Sequence, residues 1–171
     1  RSGFEYTVDQ WHHYIVTRNG TTVTQYVDGS LEQTTTGVSF DFDNTTYNPT
    51  IAAMTNSNNQ NLDGKIAQVR VYKGKGFSAS EVLQNFNATK TNYTTLITSN
   101  LVLHLDAGNS SSYSGSGTTW SDISGNNNDF TLTNGPTYTS DNGGVIVFDG
   151  TNDYAVSAIN QSFFQFGTND Y

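Results

Sequence analysis

Residues 11–33 read WHHYIVTRNGTTVTQYVDGSLEQ. Asn19-Gly20 and Asp28-Gly29 divide three runs rich in β-branched and aromatic residues: Trp11 to Arg18, Thr22 to Val27, and Leu31 onward. Asn-Gly and Asp-Gly supply the positive backbone φ that tight hairpin turns need, so the stretch predicts two hairpins in series, a meander. Side chains alternate along a strand. Trp11, His13, Ile15 and Thr17 therefore share one face, and His12, Tyr14, Val16 and Arg18 share the other. Large groups fall on both faces, which predicts a central place in a sheet rather than an edge.

Working outward, residues 2–9, Val38 to Phe42 and Ile51 to Met54 predict short strands, with polar loops at 43–50 and 55–64. Lys65 to Tyr72 (KIAQVRVY) predicts one strand, with Ile66, Gln68, Arg70 and Tyr72 on one face and Ala67, Val69 and Val71 on the other. One short helix is predicted near 78–88. Ser78 is a good N-cap, Glu81 completes a capping box, and Val82, Leu83 and Phe86 recur at helical spacing. Residues 89–100 are polar and read as a linker. A strand then opens at Leu101 (LVLHLDA). A Gly/Ser loop at 108–118 and a polar turn at 120–130 follow, with further strands at 130–133, 145–149 and 153–157.

The chain has 171 residues, enough for one domain or two partial ones, and its net charge is −8 with a pI near 4.4. That balance argues against phosphate-neutralising nucleic-acid binding and against docking on anionic lipid. Charged residues make up only 13%, and the surface is rich in hydroxyls and amides, which suits an extracellular β-protein. There is no cysteine, so disulfides, thiolate metal sites and a cysteine nucleophile are excluded. No apolar run approaches the ~20 residues of a membrane-spanning helix. The chain begins at Arg1 rather than Met, which predicts a processed product or part of something longer.

The WHH…VT…G…T…YVDG segment resembles that of laminin-G-like, concanavalin A-like domains. Two later stretches are similar to the same family: LDGKIAQVRVYKGKGFSASEVLQNF at 62–86, and residues 101–156 from LVLHLDAGN to FDGTNDYAV. The resemblance implies an all-β antiparallel jelly-roll sandwich of the concanavalin A-like kind. It also implies an unusual order. Residues 1–90 match the closing, C-terminal half of such a domain, and residues 101–171 match its opening, N-terminal half, with 89–100 as the linker. The second half is then either the next repeat of a tandem array or packs with the first as a permuted domain. The family's central strands would fall outside the chain, so neighbouring copies are expected to supply them, as tandem repeats or a homo-oligomer.

Two constellations carry candidate chemistry. Asp106, Asp122, Asn126, Asn128, Asp129, Asp149, Asn152 and Asp153 lie in three loop segments, and calcium takes six to eight oxygens from such loops. The resemblance implies a structural calcium between the opening loop and the last strand. Where the family has an acidic pair after the Ile, this chain has Ala67 and Gln68, leaving an amide oxygen at Gln68. The candidate ligands are Asp122, Asn126, Asn128, Asp149, Gln68 and Asp106. The alternative is Asx-turn chemistry with no metal. For a glycan, the candidates are Trp120, Tyr113, Tyr138 and Tyr47, with Tyr93 beside them, because they stand in or near polar loops. The alternative is that such aromatics fill sandwich edges with their polar tips wet.

No paired-carboxylate run of the glycoside-hydrolase kind occurs; Glu5, Glu32 and Glu81 are scattered. The expectation is therefore a non-catalytic extracellular or virion-surface module for carbohydrate or receptor binding and adhesion, partnered by cell-surface glycan. The alternative is a structural subunit of a virion, fibre or extracellular filament that binds neighbouring copies. Nucleic acid and membrane insertion are not expected.

Overall fold

The computed structural model describes residues 7, 9–39, 48–53, 61–90 and 95–157. Among the described residues the fold is all-β and antiparallel with one α-helix, consistent with the expected jelly-roll class. The chain divides into two compact units, neither continuous in sequence: residues 1–41 with 74–99 and 168–171, and residues 42–73 with 100–167.

The first unit is the meander and the helix. Strands β1 (Tyr14–Asn19), β2 (Thr22–Val27) and β3 (Ser30–Thr35) form a sheet in the order β1-β2-β3. Val27 pairs with Ser30, so Asp28 and Gly29 form the second turn, with φ of 51° and 81°. In the first hairpin Asn19 pairs with Thr22, so the turn is Gly20-Thr21, one residue later than the sequence predicts. Asp28 also ties down the approach to β1. Its Oδ1 accepts the His13 N–H at 2.9 Å and its Oδ2 pairs with His12 Nδ1 at 2.9 Å. That bond raises the pKa of His12.

The central placement of β1 is not observed. Among the described residues β2 is the middle strand, and Tyr14 and Val16 of β1 are 47% and 55% exposed. Bulk on both faces marked a sheet with one open face, not a strand covered twice. The other face is covered by helix α1 (Ala79–Lys90), which buries Val82, Asn85 and Phe86. The Phe86 ring lies 5.6 Å from that of His13. A Cβ on Gly29 would stand 3.0 Å from Phe86 Cδ1 at a φ that L-residues avoid, so helix and turn approach through a glycine.

The capping box forms as predicted. Ser78 N–H donates to Glu81 Oε2 at 2.9 Å, and Glu81 N–H reaches Ser78 Oγ at 3.4 Å. Lys75 Nζ adds a 2.6 Å ion pair to Glu81 Oε1. Lys75, and then Ser78, hold the Glu81 carboxyl at about 2.

The second unit holds the larger core. Its strands are β4 (Thr50–Ile51), β5 (Asp63–Ile66), β6 (Gln68–Tyr72), β7 (Leu101–Asp106), β8 (Thr119–Trp120), β9 (Phe130–Thr133), β10 (Thr137–Thr139), β11 (Val145–Asp149) and β12 (Tyr154–Ser157). They pair as β10-β11-β5, β4-β12-β9-β8 and β6-β7. Leu103, Leu105, Trp120, Phe130, Leu132, Ile146, Phe148 and Ala155 make one buried cluster across all three sheets. Each Leu, Ile and Phe among them contributes roughly 1.5–3 kcal/mol on burial.

The predicted strand Lys65 to Tyr72 is broken at Ala67. Upstream, β5 pairs with β11 (Ile66 opposite Ile146); downstream, β6 pairs with β7 (Val69 opposite Leu105). Ala67 itself accepts the Ala107 N–H at 2.9 Å. The break shifts the alternation by one. Ile66 now joins Val69 and Val71 against the core, contrary to the predicted faces, while Gln68 and Arg70 turn away from it. Two smaller differences follow from burial and turn geometry. Residues 119–120 form a strand rather than part of a turn, and β10 was not foreseen. The predicted strand at 2–9 lies almost wholly outside the described residues. The one at 38–42 does so beyond Ser39, and Val38 and Ser39 are not in a strand.

Because the Glu81 carboxyl is depressed, its contribution is present above the ordinary carboxylate range and lost as pH falls from about 4.5 towards about 2. Ser78→Ala is expected to destabilise by about 1 kcal/mol. In urea unfolding between pH 7 and pH 3, Glu81→Gln should flatten part of the loss seen in the parent chain.

Candidate functional site

The break at Ala67 and the end of β7 open a cleft in the second unit. It has a volume of about 490 Å³ and is lined by Ala67, Gln68, Asp106, Gly108, Asn109, Ser110 and the turn Asn142–Gly144. Its walls are set by backbone contact. A Cβ on Gly108 would fall 2.1 Å from the Gly143 carbonyl oxygen, and one on Gly144 would fall 2.7 Å from Gly108 Cα. Only glycines let these two loops meet.

Beyond β7 the chain is held by short polar side chains. Gly108 N–H donates to Asp106 Oδ1 at 2.9 Å, and Ser111 N–H donates to Asn109 Oδ1 at 2.9 Å. Ser112 Oγ accepts the Asp106 N–H at 3.0 Å and donates to the Ser121 carbonyl at 2.5 Å. These Asx-type turns fix the loop without apolar burial.

A polar row runs along the β6-β7 ladder beside the cleft. Gln68 and Asp106 are register partners, and Gln68 Nε2 donates to Asp106 Oδ2 at 2.7 Å. Arg70 donates from Nη2 to Gln68 Oε1 and from Nε to His104 Nε2 at 3.3 Å. Burial, and then the adjacent guanidinium, lower the pKa of His104. A neutral imidazole with Nε2 as acceptor fits that environment.

The predicted sugar-stacking aromatics are elsewhere. Trp120 is 0% exposed in the core, so it presents no face to a ligand. Tyr113 is 5% exposed; its hydroxyl donates to the Gly117 carbonyl at 2.8 Å and its ring lies 5.5 Å from that of Tyr138. Tyr138 is half-buried against the core. The long Gly/Ser loop is therefore folded over its aromatics rather than opened by them. Tyr47 and Tyr93 lie outside the described residues.

The six predicted calcium ligands are not gathered into one set. Asp122 sits 9% exposed with both oxygens engaged. Its Oδ1 accepts the N–H groups of His104 and Ser124, each at 2.8 Å. Its Oδ2 accepts Ser124 Oγ at 2.8 Å and the Asn128 N–H at 3.0 Å. Asn126 and Asn128 use their amides as donors, to the Leu101 carbonyl at 3.2 Å and the Val102 carbonyl at 2.7 Å. This loop is a brace on β7. Asp149 closes its own turn by accepting the Thr151 N–H at 2.8 Å, which lowers its pKa. Of the six, Gln68 and Asp106 reach the cleft. Among the described residues no group of three or more His, Cys, Asp or Glu is placed to hold a metal. The lining offers one carboxylate, Asp106, and both of its oxygens already accept N–H donors, a poor match to calcium, which takes six to eight oxygen ligands.

Residues 108–110 and 142–144 were missed as lining. Each segment carries only a local mark of close backbone approach, the Gly-Asn-Ser after a strand and the Asn-Gly-Gly of 142–144; their meeting is set by the fold. Asp122→Ala should strand the donors of the brace and destabilise by about 3 kcal/mol, whereas Asp149→Ala, in its exposed turn, should cost much less. Chemical denaturation of the two variants checks this ranking.

Residues 1–83 match the laminin G family model described as the concanavalin A-like lectin/glucanases superfamily. The matched segment takes in the meander, β5, and β6 with Gln68. The chain thus carries a laminin-G-like, concanavalin A-like segment, and domains of that kind are in general ligand-binding modules without catalytic activity. No curated protein and no solved structure matches the chain.

Proposed function

We propose that the chain is a non-catalytic carbohydrate-binding module of an extracellular or virion-surface protein, and that sugar hydroxyls bind in the cleft beside Asp106. The observation that carries this reading is the cleft's chemistry. A sugar hydroxyl both donates and accepts. The Asp106 carboxylate, the Asn109 and Asn142 amides, the Ser110 hydroxyl and the glycine backbone offer both kinds of partner within one open hollow. The glycines let a ligand approach the main chain closely. The family match supports a binding role, and the low charge of a Thr-, Asn- and Ser-rich surface supports a location outside a cell.

Charge-assisted hydrogen bonds are worth roughly 1.5–3 kcal/mol, so Asp106→Asn should weaken glycan binding by about tenfold or more. Ser110→Arg, at the exposed rim, should block the cleft with little change in stability. Binding of the intact chain to a glycan array, followed by calorimetry on the best hit, tests both. A hit that neither variant weakens contradicts the site. A blank array together with concentration-dependent self-assembly favours a structural subunit that binds its neighbours.

A further inference from the structure

We infer that the cleft beside β6 and β7 does without a calcium ion, because Gln68 and Arg70 supply from within the chain the positive charge and the donors that an ion would bring to Asp106. That arrangement holds whichever ligand occupies the cleft.

Asp106 is the one carboxylate among the described residues that line the cleft. A bare carboxylate at the end of a strand calls for a counter-charge, and its two oxygens show how that need is met. One accepts the Gly108 N–H at 2.9 Å, and the other accepts the Gln68 amide at 2.7 Å. Gln68 is oriented for that donation because its own oxygen is held by Arg70, whose guanidinium is anchored in turn on His104 at 3.3 Å. The row Asp106–Gln68–Arg70–His104 is thus polarised in one direction, negative at the cleft and positive behind it. Burial works against the Arg70 charge, and the nearby Tyr72 and Asp106 favour its cationic form.

A cation in the cleft would meet N–H groups on both Asp106 oxygens and a guanidinium close behind. The Asn109 side-chain oxygen is turned to its own loop, where it accepts the Ser111 N–H at 2.9 Å. Ala67 offers no side-chain oxygen. The strand break matters here. By shifting the alternation at Ala67 it brings Gln68 into register with Asp106, so that position 68 decides whether the pair is amide on carboxylate or carboxylate on carboxylate.

The test compares the intact chain, Asp106→Asn, and the double variant Ala67→Asp with Gln68→Glu. Each is melted in calcium and in chelator and titrated with terbium as a luminescent probe. A site saturated a hundredfold over its Kd would raise Tm by roughly 5–10 °C. The parent chain is expected to melt at the same temperature in calcium and in chelator. The double variant is expected to gain a calcium-dependent rise in Tm and terbium emission, both removed by adding Asp106→Asn. The inference is overturned if the parent chain shows a calcium shift that Asp106→Asn abolishes. It is equally overturned if the double variant folds and gains no response to either ion.

Discussion

The hydrogen-bonded pair β6-β7, entered through the break at Ala67, is the constraint on which the second unit depends. A strand that ran unbroken from Lys65 to Tyr72 would place Ile66 and Val69 on opposite faces. One interrupted residue places both against the same core and hands the chain from β11 to β7. Leu103 and Leu105 of β7 then close that core from residues that follow α1 in sequence. Segments separated by the helix therefore complete one hydrophobic cluster, and the same pairing aligns Gln68 with Asp106 at the rim of the cleft.

Polar atoms are used here mostly to hold loops. The brace around Asp122 satisfies donors from His104, Ser124 and Asn128 and fastens its loop to β7, and the turns at Asn109 and Asp149 are closed in the same way. In a chain with few charges and no disulfide, Asp and Asn side chains do the stapling that covalent links or ion pairs do elsewhere. This also explains why acidic residues gathered in loops overstated the case for a metal. A carboxylate that accepts four donors, as Asp122 does, has its lone pairs committed.

Much of the fold was legible in local chemistry. The Asp28-Gly29 turn, the capping box at Ser78 and Glu81, and the strands at Leu101, Phe130 and Val145 follow from turn propensity, capping and alternation, and they are found where those rules put them. What failed was less local. Alternation at 65–72 could not reveal the break at Ala67, because that depends on which strands flank it. Bulk on both faces of β1 looked like burial and is exposure on one side. Trp120 sat among Ser, Asp and Gly and so read as a surface aromatic, yet its burial is fixed by Phe130, its cross-strand partner, and by the core beyond. The cleft is made by Gly108 and Gly144, far apart in sequence, whose contact no pattern of side chains announces.

Everything above rests on residues 68–72 pairing with residues 101–106 of the same chain. The chain has no cysteine, so one engineered pair reports on it cleanly. Gln68→Cys combined with Asp106→Cys places thiols on directly opposed residues of an antiparallel ladder, within the span a disulfide bridges. Mild oxidation at low protein concentration, read by mass spectrometry, should give a monomer that has lost two hydrogen atoms to the oxidant, with both introduced cysteines in one cross-linked peptide. Covalent dimers joined through the introduced cysteines, or free thiols in a folded monomer, would contradict it.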